Sequence, residues 1–162
     1  TEVVILPDAF VVRKRGSGGG DVDVSFNTIV DPQGRTVATL SFSGAFVQDG
    51  GLVDGNYDLR INGSKVTSVA GGLGLDADRN GVTGDDYTFG DVAADAFFRL
   101  FGDGNGDGSV NLFDFAAFRS TFGLAVGSPH YLGHFDATGD EMIDLFDFAA
   151  FRASFGQSNV FE

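Results

Sequence analysis

The feature that most constrains this chain is an internal repeat with a period of 33 residues in its C-terminal third. The segment 112–119 reads Leu-Phe-Asp-Phe-Ala-Ala-Phe-Arg, and the segment 145–152 repeats it without a change. The pair Phe122-Gly123 recurs as Phe155-Gly156 at the same spacing. Eight consecutive identities at a fixed period indicate a duplicated structural unit, so we expect the two copies to fold alike.

An acidic, glycine-containing loop overlaps the start of each copy, at 103–114 and at 136–147. Ca²⁺ takes six to eight hard oxygens, and a loop of about 12 residues supplies them from positions 1, 3, 5, 7, 9 and 12, with a glycine turn at position 6. The predicted ligands in the first loop are Asp103, Asn105, Asp107, the carbonyl of Ser109, Asn111 and Asp114. Those in the second loop are Asp136, Thr138, Asp140, the carbonyl of Met142, Asp144 and Asp147. The spacing therefore predicts two calcium ions in the repeat.

The second loop departs from this pattern at two positions. Thr138 offers a hydroxyl at position 3, and Glu141 stands where the turn glycine is expected. A left-handed backbone at a residue other than glycine costs about 1–2 kcal/mol. We therefore expect the second loop to bind calcium more weakly than the first. At position 8 of the loops, Val110 and Ile143 are expected to pair with each other across a short β-bridge.

A third acidic segment, 76–82, repeats the opening of a calcium loop but has Tyr87 at position 12. We predict a calcium site of another kind here, with an unoccupied acidic loop as the alternative. Its predicted ligands are Asp76, Asp78, Asn80, the carbonyl of Val82 and one of Asp85 and Asp86.

Each loop is followed by a helical pattern with a stripe of phenylalanines, as in Phe115, Phe118 and Phe122. At about 100° per residue these rings fall on one face and are expected to form a core. Phe113 and Phe146 point about 160–170° away from the stripes. The duplicated Leu-Phe step therefore predicts a binding surface, with packing against the rest of the chain as the alternative.

The first hundred residues alternate apolar and polar side chains, as in 22–26, 38–42 and 57–61, between turns rich in Gly, Asn and Asp. Asn62-Gly63 predicts a two-residue hairpin. Seven or eight short strands in about 100 residues indicate an Ig-like antiparallel β-sandwich. We therefore predict two domains, with the sandwich at 1–101 and the repeat at 102–162.

Composition excludes several functions. A net charge of −13 opposes binding to nucleic acid or to an anionic bilayer. No apolar run reaches the roughly 18 residues that a membrane span needs. There is no cysteine, nucleophile–base pair or phosphate-binding glycine loop, and the acids are assigned to calcium, so we expect no enzymatic activity.

The chain begins at Thr1 and is expected to be a monomeric part of a longer protein.

The duplicated loops, each followed by one helix, resemble the type I dockerins over residues 102–157. The resemblance implies binding to a protein partner of the cohesin type, in either of two orientations. It assigns the partner-binding role to Leu112, Phe113, Arg119, Ser120, Leu145, Phe146, Arg152 and Ala153. The whole chain resembles the C-terminal region of large exported proteins of planctomycete-like bacteria, which implies an extracellular or cell-surface location.

These observations together predict a multidomain chain of β plus α class. An Ig-like antiparallel β-sandwich would be followed by a small helical, dockerin-like pair of EF-hand-type calcium loops. The predicted function is calcium-dependent, non-catalytic attachment of a larger exported protein to a partner. The alternative is a purely structural, calcium-stabilised terminal module of a surface protein without a dedicated partner.

Overall fold

Alternating side chains place most of the chain's regular structure in short antiparallel strands. The computed structural model describes residues 2–48 and 50–161. Its strands are β1 (Val3–Ile5), β2 (Phe10–Lys14), β3 (Gly20–Val30), β4 (Thr36–Ser43), β5 (Val47–Gln48), β6 (Gly51–Leu52), β7 (Gly55–Ile61), β8 (Val66–Ser68), β9 (Tyr87–Phe89) and β10 (Phe97–Arg99). Its α-helices are α1 (Leu112–Thr121) and α2 (Leu145–Ser154), and short 3₁₀ turns lie at Gly63–Lys65, Ala93–Asp95 and Gly133–Phe135.

The β3–β4 hairpin shows how the sequence sets the strand register. Val24 lies opposite Phe42, so the apolar positions of the two strands share one face. The Asp31 carboxylate closes the turn by accepting hydrogen bonds from the backbone N–H of Gln33 and of Arg35 at 2.9 and 2.8 Å. The Arg35 side chain adds an ion pair to the same carboxylate at 2.7 Å. These backbone hydrogen bonds, with the Arg35 side chain, hold the pKa of Asp31 below its usual range.

The strands form one six-stranded antiparallel sheet in the order β10-β7-β2-β3-β4, with β9 also paired to β7. The other strands form two-stranded ribbons, β1 with β8 and β5 with β6. The predicted Ig-like β-sandwich is therefore wrong, because the long strands all join a single curled sheet and do not divide between two. Alternation shows which face of a strand is apolar, but it does not show which sheet the strand joins.

The predicted two-residue hairpin at Asn62-Gly63 is also wrong. β7 and β8 have different partners, and Asn62 caps the 3₁₀ turn that separates them by accepting a hydrogen bond from the Ser64 N–H at 3.2 Å. A Cβ on Gly63 would lie 1.9 Å from the Asp85 carbonyl oxygen. The glycine is therefore needed for a close approach of two backbone segments rather than for a hairpin turn.

The described residues divide into two compact units, one of residues 2–47 and 56–97 and the other of residues 48, 50–55 and 98–161. In the first unit Ala9, Val12, Val22 and Tyr57 are buried. The ring of Phe97 packs beside Tyr57, with 5.7 Å between centroids.

The second unit has a phenylalanine-rich core built from both copies of the repeat. Phe118 of α1 and Phe151 of α2 are buried with their ring centroids 4.9 Å apart, and the buried Phe135 of the connecting segment packs edge-on to Phe118 at 5.4 Å. Val110 and Ile143 are buried in the same cluster. The stripe is only partly core, because its last members, at the helix C-termini, are exposed: Phe122 and Phe155.

The predicted fold class is wrong as a whole. The regular structure of the described residues is mostly sheet with only two α-helices, and it does not form a multidomain β-sandwich followed by a paired EF-hand helical module. Each ten-residue helix begins at the tenth residue of its loop. Neither of them is long and apolar enough to cross a membrane, and the described residues contain no other helix that is.

Candidate functional site

The first acidic loop is wound around the carboxylate of Asp103, its first residue. Oδ1 accepts hydrogen bonds from the backbone N–H of Gly106 at 2.8 Å and of Asp107 at 3.2 Å, and Oδ2 accepts one from Gly108 at 2.8 Å. Gly106 and Gly108 have φ values of 75° and 82°, a left-handed conformation that glycine adopts without strain. The loop therefore turns its backbone N–H groups inward onto one carboxylate.

Asp114, the last residue of this loop, closes it from the first turn of α1. Its side chain is fully buried, and its oxygens accept hydrogen bonds from the backbone N–H of Gly104 at 2.9 Å, Asn105 at 3.3 Å and Asn111 at 2.8 Å. Asn111 in turn caps the helix by accepting from the Phe113 N–H at 2.8 Å. One carboxylate thus links the beginning of the loop to the beginning of the helix.

The second loop repeats this arrangement 33 residues later. The Asp136 carboxylate accepts from the backbone N–H of Gly139 at 2.7 Å and of Glu141 at 2.8 Å. The fully buried Asp147 accepts from Ala137 at 2.8 Å and from Asp144 at 2.7 Å. The duplicated sequence therefore produces a duplicated hydrogen-bond pattern.

Glu141 shows what the missing turn glycine does to the second loop. Its φ is 67°, close to the 82° of Gly108 at the same loop position. The loop therefore keeps its shape at the cost of a left-handed conformation in a residue with a side chain. Thr138, the other departure, places its hydroxyl 3.3 Å from Asp136 Oδ1 and 3.4 Å from Asp147 Oδ1.

Asp136, the first predicted ligand of the second loop, also has a partner outside the loop. The hydroxyl of Tyr131 donates a hydrogen bond to Asp136 Oδ2 at 2.8 Å. Burial, followed by the contact with Asp136, raises the pKa of Tyr131 to about 12. Burial also acts to raise the pKa of the Asp136 carboxyl, but hydrogen bonds from Tyr131, Gly139 and Glu141 outweigh it and hold that pKa below its usual range.

The third acidic loop has the same local backbone as the other two. Asp76 accepts hydrogen bonds from the backbone N–H of Asn80 and of Gly81, each at 3.0 Å, as Asp103 does from its loop. Arg79 and Gly81 are left-handed, with φ values of 61° and 87°. Asp85 accepts from the Ala77 N–H at 2.9 Å, which is the contact that Asp114 and Asp147 make in the repeat. Asp85 therefore closes the third loop at its tenth residue, two positions earlier than Asp114 and Asp147 close theirs.

Of the two acids that the sequence left open, the structure brings only Asp85 to this loop. The Asp86 carboxylate accepts a hydrogen bond from the Gly63 N–H at 2.9 Å and forms an ion pair with the Arg60 guanidinium. The side-chain hydrogen bond from Arg60, together with the backbone hydrogen bond from Gly63, lowers the pKa of Asp86 below its usual range. Asp86 thus links the 3₁₀ turn at Gly63 to Arg60 of β7.

The donor chemistry of all three loops suits a hard divalent cation. In two of them, three carboxylates each have an oxygen within 4.8 Å of the others: Asp76, Asp78 and Asp85, and Asp136, Asp140 and Asp147. The corresponding carboxylates of the first loop, Asp103, Asp107 and Asp114, do not form such a group. The other hard oxygens available in this loop are those of the Asn105 and Asn111 amides at positions 3 and 9. Oxygen donors without thiolate or imidazole favour Ca²⁺, Mg²⁺ or Mn²⁺ over the softer transition metals.

The predicted partner-binding residues lie on the surface of the second unit. Leu112 and Phe113 are 72% and 77% exposed, and Leu145 and Phe146 are 70% and 71% exposed. The remaining predicted contacts are also exposed: Arg119, Ser120, Arg152 and Ala153. Large apolar side chains this exposed, and duplicated, are typical of an interaction surface.

An apolar groove brings residues of both copies together on this surface. It has a volume of about 330 Å³. Its lining consists of Leu112, Phe115, Phe148, Phe151, Arg152 and Phe155. Leu112 of the first copy and Arg152 of the second therefore belong to one concave surface.

Sequence reasoning left one residue of the site undecided and missed another. It could not choose Asp85 over Asp86, because the choice depends on the contact of Arg60 with Asp86 across 26 residues. It did not consider Tyr131 at all, because this residue precedes the second loop and matches no ligand position. Comparison of the chain with known protein families, curated proteins and solved structures finds no match.

Proposed function

We propose that this chain is a calcium-binding, non-catalytic module that attaches a larger exported protein to a partner protein. Calcium loads the two loops of the repeat and the third loop at 76–85. The partner binds the duplicated Leu-Phe steps and the apolar groove that Leu112 lines. Like the dockerins that the repeat resembles, the module recognises a protein of the cohesin type outside the cell or at its surface.

The observation that carries this proposal is the pairing of each acidic loop of the repeat with an exposed Leu-Phe step. The buried loop-closing carboxylate, Asp114 or Asp147, comes directly after the exposed pair. It is bonded both to the loop backbone and to the residue that caps the helix. Calcium at position 12 would therefore fix the two apolar side chains that precede it.

The exposed fractions favour docking over the purely structural alternative. If calcium served only to brace the fold, Leu112, Phe113, Leu145 and Phe146 would be expected to pack inside the chain. They are instead among its most exposed large apolar residues. Exposing these side chains to water stabilises nothing in the folded chain, so a partner that buries them explains their presence better.

Calcium-dependent capture of purified cohesin domains tests the proposal. The chain is passed over a panel of immobilised cohesins in calcium and in EDTA, as the wild type and as the double variant Phe113→Ala with Phe146→Ala. We expect capture in calcium, none in EDTA, and at least tenfold weaker capture by the double variant. The matched control is Val126→Ala with Val160→Ala, which removes two other exposed apolar side chains.

Two results distinguish the alternatives. Binding that is unchanged in the double variant would contradict a role for the Leu-Phe steps. Calcium binding with no capture by any cohesin would favour the structural module.

A further inference from the structure

Tyr131 makes the two calcium loops different. Its hydroxyl donates to Asp136 Oδ2 at 2.8 Å from a position five residues before the loop. The residue at the same position before the first loop is Phe98, which has no hydroxyl. Phe98 also lies beside its own loop, because its Cζ is 3.9 Å from where a Cβ on Gly108 would be. The two aromatic rings thus occupy related places, and only one of them offers a donor.

We propose that Tyr131 is a positioning residue for calcium in the second loop, which it serves by fixing the orientation of the Asp136 carboxylate. The inference rests on the calcium-binding function proposed above and extends it to a residue outside the ligand set. Hydrogen-bond partners of ligating carboxylates orient them before the metal arrives, and losing one typically costs 10–100-fold in metal affinity.

The second loop has more need of such a residue than the first. Its backbone is strained at Glu141, whose N–H donates to the same Asp136 Oδ2 at 2.8 Å. Thr138 at position 3 offers one hydroxyl oxygen in place of the Asn105 amide of the first loop. A second donor on Oδ2 keeps the first predicted ligand in place in a loop that is strained at Glu141 and has a hydroxyl at position 3.

Tyr131 is well anchored for this role. Its backbone N–H donates to the Ser128 carbonyl at 3.1 Å, and the next residue, Leu132, donates to Thr121 Oγ1 of α1 at 3.0 Å. Phe135, at the end of the same segment, is buried in the core. The hydroxyl is therefore held by the connection between the copies rather than by the loop.

The test is Tyr131→Phe, which makes the second copy match the first at this position. Calcium is titrated into the whole chain and followed by NMR, with the Gly106 amide reporting on the first loop and the Gly139 amide on the second. We expect the dissociation constant of the second loop to rise about tenfold, and that of the first to change less than twofold. Tyr87→Phe, which removes an exposed hydroxyl elsewhere, is the control and should change neither.

The ratio of the two affinities separates positioning from general stability, because a merely structural loss would weaken both loops together. An unchanged or tighter second loop in Tyr131→Phe, with both loops binding, would overturn the proposal. If Tyr131→Phe did not fold, Tyr131→Met would replace it, and failure of both to fold would assign Tyr131 a structural role instead. If the wild type bound no calcium in either loop, the proposed function would fail and this inference with it.

Discussion

Val110 and Gly156 belong to different copies of the repeat, and the N–H of Gly156 donates to the carbonyl of Val110 at 2.8 Å. The Val110 N–H donates back to the Gln157 carbonyl at 2.9 Å. The other copy repeats the exchange, with the Ile143 carbonyl accepting from Gly123 at 2.8 Å. Each loop is thus paired with the segment that follows the other copy's helix, and the predicted bridge between Val110 and Ile143 is not what forms.

Because of these hydrogen bonds, a substitution that destabilises one copy of the repeat should also destabilise the other. Ile143→Ala removes a fully buried side chain and should lower the free energy of unfolding by about 2–5 kcal/mol. Hydrogen exchange should speed up at Gly123 and Leu124 as well as in the second loop, because their backbone pairs with Ile143. Val126→Ala, at an exposed position, is the control and should change stability by less than about 0.5 kcal/mol. Faster exchange confined to the second loop would contradict the coupling.

Glu141→Gly should improve the second loop. Replacing a left-handed glutamate with glycine relieves about 1 kcal/mol of backbone strain, part of which is offset by the greater freedom of glycine in the unfolded chain. We expect tighter calcium binding in the second loop and an unchanged first loop, measured by the same NMR titration.

The matched change in the first loop is Gly108→Ala, which should weaken calcium binding there. A Cβ at this position meets its neighbours only at ordinary contact distances, 3.8 and 3.9 Å, so the φ of 82° alone carries the cost. Weaker calcium binding in the second loop after Glu141→Gly would contradict the assignment of strain to Glu141.

Asp85 and Asp86 should behave differently although they are neighbours. Asp85→Asn should weaken calcium binding at the third loop by more than the roughly tenfold that loss of an outer partner costs, because a predicted ligand is removed. Asp86→Asn should leave that affinity within twofold and instead lower stability, since it breaks the pair with Arg60. Calcium titration and urea unfolding of both variants decide this. Equal losses of calcium affinity would contradict the choice of Asp85.

The Asp86 carboxyl should also make stability depend on pH. Its pKa in the folded chain is below the ordinary value of 3.8. A group with a lowered folded-state pKa stabilises the fold above its unfolded pKa, and this contribution is lost as the pH falls through the folded-state value. In EDTA, the urea midpoint of the wild type should exceed that of Asp86→Asn near neutral pH, and the gap should shrink below pH 3.8. A gap that stays constant into acid would contradict the role of the ion pair.

The repeat could be predicted from sequence because its information is local. The left-handed turn at Glu141 and the outward direction of Phe113 both follow from spacing within one loop and one helix turn. The pairing of β3 with β4 could be predicted for the same reason, since one short turn at Asp31 connects the two strands.

What could not be predicted depends on contacts between distant residues. The strands predicted to form two sheets form one, because β2 pairs with both β3 and β7, and alternation does not specify pairing partners. Asn62-Gly63 looked like a hairpin because its close approach to Asp85 is not visible in the local sequence. The contact between Tyr131 and Asp136 was missed because it lies outside the ligand spacing.

Hydrogen exchange of the whole chain in calcium and in EDTA tests the central claim most directly. If calcium organises the three loops, amides at 103–114, 136–147 and 76–85 should lose protection in EDTA, while those of β3 and β4 hold theirs. The exposed Leu-Phe steps at 112–113 and 145–146 should loosen with their loops. Protection that is the same in calcium and in EDTA at all of these residues would contradict the account.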